Sequence, residues 1–407
     1  MKTIDVQSKL MDSALRGLIS TYVEGGRVPH LHCFVSVDGT PVADICAGRS
    51  RADGEAPHDH VLDKNALYRI ASMSKPIVVA AFLTMVEEGR VSFGTLLEAV
   101  LPEFAQVERW TGRVDDEGQL IGVPNEMPMT MYDLLRHSAG LSYSFHAQTP
   151  LDRLYAERYL DTFHQRRNSA EYVQALADVP LAFAPGERFH YSASIDLLGL
   201  AMERIADQPL DDILAQRILQ PLGMNDTGFV LRPDQVGRLT DAWQTDGAGA
   251  LTLYDRGQQS RWRVAQKCYS AGGGLLSSTS DYHRFLLMLL GGGTLDGVRI
   301  LSPESVDNMM ANHLPGGGDL ESAGSGPLSE TSLPGIGMGL GGAVIINTHQ
   351  ARAAGSQGTY FWGGILSTGF FLDRSRSIIG LVMTQMMPSG AANLREDFRT
   401  AVYSGLD

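Results

Sequence analysis

Ser72 and Lys75 stand three residues apart in Ile70-Ala71-Ser72-Met73-Ser74-Lys75-Pro76, directly before the apolar run Ile77-Val78-Val79-Ala80-Ala81-Phe82-Leu83. A serine and a lysine at this spacing on a helix share one face and can touch. The helix N-terminus favours a developing alkoxide, and burial against the apolar run favours an uncharged amine. A neutral lysine can take the serine proton and leave a usable nucleophile. Read alone, the pair also fits a capping serine followed by a lysine that reaches back to solvent. The buried character of the helix argues against that, because a solvated lysine is badly placed there. Gly-x-Ser-x-Gly is absent, so a strand-to-helix nucleophile elbow is not available.

Two further stretches carry chemistry. Phe189-His190-Tyr191-Ser192-Ala193-Ser194-Ile195-Asp196 follows the turn Pro185-Gly186. Tyr191 on that constrained loop end, near an ammonium, can shuttle a proton; a loop-capping tyrosine is the alternative. In Gly358-Thr359-Tyr360-Phe361-Trp362-Gly363-Gly364-Ile365, glycines on a strand mark close approach by a ligand or another backbone. An exposed N–H there can hold an oxyanion; a bulged strand with a core tryptophan is the alternative. Gly335-x-Gly337-x-Gly339-x-Gly341-Gly342 resembles a dinucleotide loop, but the strand-like Ala343-Val344-Ile345-Ile346 follows where a helix is needed. His58-Asp59-His60 lacks a third metal ligand nearby. His137, in Arg136-His137-Ser138-Ala139-Gly140-Leu141, is read as ordering a turn rather than as a base.

These residues need elements to position them. Residues 8–23 read as an amphipathic helix with Met11, Leu15, Leu18 and Tyr22 on one stripe. Strands at 31–37 and 41–47 join at Asp38-Gly39-Thr40. The middle, 91–246, reads as mostly helical, with helices over 195–206 and after Pro209. A helix over 281–290 is expected to be capped by Ser280 and stopped by Gly291, and Ser302-Pro303-Glu304 opens another. Strands follow at 338–346, 365–372 and 377–384, the last two forming a hairpin across Asp373-Arg374-Ser375-Arg376. A helix over 391–403, with Leu394, Phe398 and Val402 inward, ends the chain. Strands at both ends and helices between predict an α+β fold. An antiparallel sheet is built from both termini and flanked by helices, with an inserted mostly helical domain. The expected division is 1–90 with 247–407 as the sheet domain and 91–246 as the insertion.

Composition narrows the function classes. Of 407 residues, 43% are hydrophobic and 19% charged, which excludes a disordered or collagen-like chain. A net charge of −13 disfavours nucleic-acid binding. No apolar run is long enough to span a membrane. The start, Met1-Lys2-Thr3-Ile4-Asp5, lacks an apolar signal region. Cys33, Cys46 and Cys268 form neither a disulfide framework nor a Cys-rich zinc site, which points to a reducing compartment. The expectation is a cytoplasmic enzyme with no cofactor, no metal, no nucleic-acid partner and no membrane contact.

With these features together, the chain resembles the serine β-lactamase and penicillin-binding-protein superfamily. Within it, the chain is most similar to the family VIII carboxylesterases, which are like class C β-lactamases. The resemblance covers about residues 10–405. Besides the Ser72 and Tyr191 segments it rests on Asp133-Leu134-Leu135-Arg136-His137-Ser138-Ala139-Gly140-Leu141 and Gln220-Pro221-Leu222-Gly223-Met224. Gly272-Gly273-Gly274-Leu275 and Trp362-Gly363-Gly364 complete it. The resemblance implies that Ser72 is the acylated nucleophile. It implies that Lys75 is the base or holds Tyr191 as tyrosinate, and that Tyr191 moves the proton to the leaving group and later activates water. The implied oxyanion hole is the N–H groups of Ser72 and Ile365, with Trp362, Gly363 and Gly364 beside it.

Two departures shape the expected substrate. Trp362 stands where β-lactamases carry the lysine of Lys-Thr-Gly, so an apolar wall replaces a cation that would hold a substrate carboxylate. Ala193 replaces the asparagine that class C enzymes carry two residues after the tyrosine. Both favour small-molecule esters over β-lactams. The reading is a serine carboxylesterase. A β-lactamase, peptidase or amidase and an acyltransferase using the same acyl-enzyme are the rivals, and a non-enzymatic scaffold is a distant third. Loops 142–180 and 311–335 are expected to set acyl and alcohol preference, and Met386-Met387 to line an acyl pocket or fill the core.

Overall fold

A computed structural model of the chain describes residues 2–52, 60–246, 250–323, 333–390 and 393–406. The N-terminal helix α1 (Lys2–Ile19) continues as a wider turn through Glu24. Met11, Leu15 and Tyr22 face the interior. Strands β1 (His30–Val37) and β2 (Thr40–Gly48) follow. Asp38 and Gly39 both take positive φ (49° and 75°) between them. Two central residues at positive φ make the turn whose twist matches the strands it joins.

A short strand, Leu67–Arg69, leads through a tight turn at Ala71–Met73 into helix α2 (Ser74–Glu87). Every residue of α2 from Ser74 to Leu83 is buried, which explains its apolar composition on all sides. Helix α3 (Ser194–Ala206) packs against it. Helix α4 (Thr279–Leu290) is capped by Ser278, whose Oγ accepts the Asp281 N–H at 3.2 Å. Ser280 is therefore not the cap; the helix starts two residues earlier than expected, at Thr279 directly after the strand Leu276–Ser278. Gly291 does stop the helix. Ser302 caps the helix Pro303–Met309 by accepting from Ser305 N–H.

The C-terminal third supplies strands β3 (Ile336–Met338), β4 (Ala343–Ile345), β5 (Tyr360–Gly363), β6 (Gly369–Asp373) and β7 (Ile378–Met383). The expected strand at 338–346 is thus a hairpin, folded at the glycines 339–342. No helix follows this glycine run. Gly341 instead packs on the start of α2, where a Cβ would stand 3.1 Å from Pro76 Cα. The strand expected at 365–372 begins only at Gly369, because Ile365–Thr368 form a turn with Ser367 at φ 63°.

These strands form one antiparallel sheet in the order β3-β4-β5-β6-β7-β1-β2. The N- and C-terminal parts of the chain therefore meet inside one sheet, where Phe34 of β1 pairs with Leu381 of β7. Neighbouring side chains of β6 point to opposite faces. Phe370 meets Tyr282 of α4 at 5.4 Å, while Phe371 meets Phe398 at 6.0 Å on helix α5 (Leu394–Ser404). Helices α1 and α5 pack together, tied by Tyr22 Oη donating to Asp397 at 2.6 Å.

The middle of the chain is not all helical. A hairpin, Glu108–Val114 with Leu120–Pro124, interrupts it. Its partly polar, Gly-containing strands carry weak alternation and hid it from periodicity. Strand Ala242–Thr245 pairs with Leu251–Asp255 and, in parallel, with Met386–Met387. The two methionines are thus spent on a strand pairing and do not line the cavity described below.

Candidate active site

The strand before Ser72 is held rigidly. The buried Arg69 guanidinium donates to Asp255 (2.9 Å) and to the Thr240 carbonyl (2.7 Å). Gln385 accepts the Arg69 N–H (3.0 Å) and donates back to its carbonyl (3.1 Å). Ala71 then takes φ 45°, an uncommon conformation for a residue with a Cβ. It turns the chain so that Ser72 faces a cavity of about 470 Å³. That volume is in the ordinary range for small-molecule sites.

Ser72 is the meeting point of the site. Lys75 Nζ donates to Ser72 Oγ at 3.2 Å and to the Gly272 carbonyl at 2.8 Å. Tyr191 Oη donates to Ser72 Oγ at 2.9 Å. Nζ of Lys75 also lies 4.8 Å from the Tyr191 ring centroid and 5.6 Å from that of Tyr143, close enough for cation–π attraction. The lysine is buried and does not reach solvent.

The backbone fixes Tyr191 from both sides. His146 Nε2–H donates to its carbonyl at 2.6 Å, and the next N–H, of Ser192, donates to His137 Nδ1 at 3.3 Å. His137 has φ 55° and is fully buried. Burial, then the Lys75 charge, hold its imidazole well below its usual pKa, so it is neutral. Its geometry is that of a residue ordering the turn beneath Tyr191.

Trp362, Gly363, Gly364 and Ile365 line the same cavity as Ser72. Trp362 presents its ring edge-on to Tyr191 at 5.4 Å. Gly364 is required by close approach: a Cβ would lie 2.5 Å from the Ile70 carbonyl and 3.0 Å from Ala71 Cβ. Its N–H is committed to the Thr368 carbonyl at 2.9 Å. The Ile365 N–H makes no hydrogen bond among the described residues, which leaves it as the donor available at that edge. The turn at 365–368, rather than a strand, is what frees it. Ala193 is fully buried at the start of α3 and does not line the cavity.

The sequence reading did not single out the opposite wall. Tyr143, Phe145, Asp161, Phe163, Asp196, Ser270 and Gly272 form it. Phe145 is 54% exposed and stacks on Tyr143 at 4.9 Å, forming a rim. Phe163 lies against Gly273, where a Cβ would meet its ring at 2.5 Å. These aromatics come from the expected specificity loop 142–180, and their clustering after Leu141 was the available signal. The described residues of loop 311–335 do not line the cavity. Asp196 accepts from Ser270 Oγ (2.7 Å) and from Gly272 N–H (3.0 Å). Burial raises its pKa, opposed by the Lys75 charge and these hydrogen bonds.

Among the described residues, one group could hold a metal ion: His32, Asp44 and Cys46, with donor atoms within 4.8 Å of one another. It sits on β1 and β2 outside the cavity. His32 Nε2 is spent on Asp44 at 2.8 Å, and burial pushes the Cys46 thiol up to about 12. Of the motif His58-Asp59-His60, His58 and Asp59 lie outside the described residues, and His60 is exposed.

Comparison with known proteins agrees with this architecture. The Beta-lactamase family profile matches residues 15–403. An uncharacterized protein of Mycobacterium tuberculosis is 35% identical over 341 residues, 80% of this chain and 79% of its own length. Lovastatin esterase of Penicillium rubens is 30% identical over 408 residues, covering 97% of this chain and 98% of its own. Among solved structures, EstCE1, described as a hydrolase with promiscuous acyltransferase activity, superposes with a TM-score of 0.79. It is 24% identical and covers 97% of this chain and 99% of its own. With the profile spanning nearly the whole length and a relative at 30% identity matched end to end, the chain belongs to the Beta-lactamase family.

Proposed function

We propose that this enzyme hydrolyses small-molecule carboxylic esters through an acyl-enzyme on Ser72. The observation that carries the reading is the sharing of Ser72 Oγ by Lys75 Nζ and Tyr191 Oη at the floor of the cavity. Ser72 Oγ attacks the ester carbonyl carbon, and its proton passes to the Lys75–Tyr191 pair. The carbonyl oxygen, now an anion, is held by the N–H groups of Ser72 and Ile365. One such donor lowers the barrier by about 3–4 kcal/mol. The C–O bond breaks as Tyr191 returns a proton to the leaving alkoxide. Water then repeats the sequence on the acyl-enzyme and releases the acid.

Preference for esters over lactams rests on Trp362, whose indole gives an apolar wall where a lysine would bind carboxylate. The aromatic rim of Tyr143 and Phe145 extends that wall. The name of lovastatin esterase supports ester cleavage. An acyltransferase reading draws on EstCE1, described as a hydrolase with promiscuous acyltransferase activity, since the same acyl-enzyme can pass its acyl group to an alcohol. No helix among the described residues is long and apolar enough to cross a membrane; a cytoplasmic site of action remains part of the proposal.

The test is hydrolysis of p-nitrophenyl butyrate beside a chromogenic cephalosporin, by wild type and Ser72→Ala. Ester turnover that vanishes in the variant, with little lactam cleavage, is the expected result. Lactam cleavage at a comparable rate overturns the ester preference. Added alcohol that raises turnover and yields transfer product favours the acyltransferase.

A further inference from the structure

Among the described residues Lys75 has no direct carboxylate partner, although it is buried. Its two hydrogen-bond partners are Ser72 Oγ and the Gly272 carbonyl. The other side of that glycine is occupied: its N–H donates to Asp196 Oδ1 at 3.0 Å. Ser270 Oγ donates to the same oxygen at 2.7 Å, and Tyr143 Oη approaches Oδ2 at 3.5 Å. Each of these hydrogen-bond partners of the Asp196 carboxylate is a donor, the pattern of an ionised acid. The packing leaves no slack, since a Cβ on Gly272 would stand 2.5 Å from Asp196 Oδ2. Asp196 belongs to α3, which starts three residues after Tyr191. One helix end therefore governs both proton-transfer groups: Tyr191 through the chain, and Lys75 through Asp196 and Gly272.

We propose that Asp196 is a positioning residue for the proton-transfer pair. It grips Gly272 so that its carbonyl holds Lys75 Nζ beside Ser72. It also supplies the negative charge that faces the buried proton-transfer pair across the peptide. The proposal rests on the hydrolase reading above. The titratable groups facing Lys75 are Tyr191 and Tyr143 from the loops before α3 and after Leu141, His137 beneath Tyr191, and Asp196 on α3. Asp161, from the same loop as Phe163, lines the same cavity and its charge opposes that of Asp196. Asp196 and Asp161 are the acids in that set, and Asp196 is the one hydrogen-bonded to the peptide that Lys75 contacts.

The charge has a sign that can be read. A carboxylate near the pair favours its protonated form. Removing the charge disfavours the protonated pair, so the acidic limb of the rate profile moves to lower pH. Asp196→Asn retains an acceptor for Gly272 and Ser270 but loses the charge. The acidic limb of kcat/KM for p-nitrophenyl butyrate is expected to move down by about one pH unit. A fall of at least about 10-fold at the optimum is expected as the charge-assisted bonds that grip Gly272 become weaker neutral ones.

Three readouts separate the outcomes: the pH profile, thermal melting, and labelling of Ser72 by a fluorophosphonate. A folded Asp196→Asn enzyme with wild-type limb and rate overturns the proposal, because only hydrogen bonding would then matter. If that variant fails to melt cooperatively, Ser270→Ala is read instead. It removes one donor to Asp196 and is expected to slow turnover with a smaller limb shift; an unchanged profile there also overturns the proposal. A wild-type protein whose Ser72 takes no label removes the nucleophile itself, a failure distinct from an unmoved limb.

Discussion

Tyr191 Oη stands 2.9 Å from Ser72 Oγ, although the two residues are 119 positions apart in the chain. The contact joins two segments that are far apart in the chain. Ser72 sits on the turn that opens α2, and Tyr191 ends the loop that opens α3. Helix packing between α2 and α3 sets their distance, so the nucleophile and its proton partner are assembled by the same apolar contacts that build the core.

Two serines two residues apart should behave differently. Ser72→Ala removes the shared oxygen and is expected to abolish ester turnover and fluorophosphonate labelling. Ser74 is fully buried, and its Oγ accepts the Leu275 N–H at 3.2 Å. Ser74→Ala should cost about 1 kcal/mol of stability, the worth of one hydrogen bond, and keep most of the activity. Equal loss of turnover in both folded variants would place the nucleophile elsewhere.

Lys75→Ala and Tyr191→Phe are each expected to lower kcat/KM by at least about 100-fold, the lower end for a positioned general base. Tyr191→Phe keeps the ring that Trp362 and Lys75 pack against, so it isolates the phenol oxygen. A pH–rate profile left unchanged by both substitutions contradicts a proton-transfer role for the pair.

Much of this site is legible in the sequence because its chemistry is local. Ser72 and Lys75 share one helical turn, and the apolar run after them announces burial. Gly363 and Gly364 declare a close approach. The N-terminal hairpin is written in Asp38-Gly39, and the C-terminal hairpin in its two apolar runs. The opposite wall is not legible in that way. Tyr143, Phe163 and Asp196 matter because α2, α3 and the 158–165 loop converge, and no single segment encodes that convergence. The short strands β3 and β4 merged into one expected strand because glycines bridge them. The Ile365 turn was hidden for a related reason: Leu366 and the apolar residues after Gly369 read as one continuous strand.

Gly364 offers a steric test of the nucleophile's placement. A methyl group there would press on the Ile70 carbonyl and on Ala71 Cβ, the residues that orient Ser72. Gly364→Ala is expected to reduce kcat by about 100-fold, the scale of a small misplacement of reacting groups. KM should change less. Gly17→Ala on the exposed face of α1 is the control, since nothing lies within 4 Å of its Cβ position. It should be neutral to activity and stabilise by up to about 1 kcal/mol. Unaltered kcat in Gly364→Ala would mean that the β5 edge does not set the Ser72 geometry.

Acid should destabilise the fold before it protonates most carboxylates. His30 and His283 are buried and His190 is half-buried, and desolvation lowers each to about 4. Their folded values lie below the ordinary 6.5, so the unfolded chain binds more protons between pH 6.5 and 4. Stability is therefore full above that window and falls as pH drops through it. At pH 5 each contributes a loss of up to about 2 kcal/mol. Asp281 works the other way: burial raises it to about 6, so the fold gains from its protonation as pH falls below that value. His137, His164 and His313 are lowered as well, and Asp196 is raised with Asp281, so the histidines outweigh the two acids and leave a net loss. The melting temperature should fall steadily from pH 6.5 to 4.5. His283→Gln should flatten part of that slope, because its Nε2 contact with Ser36 Oγ at 2.8 Å can be kept by an amide that does not titrate. A melting temperature that is level down to pH 5 would show that these imidazoles are reached by water and protonated within the fold.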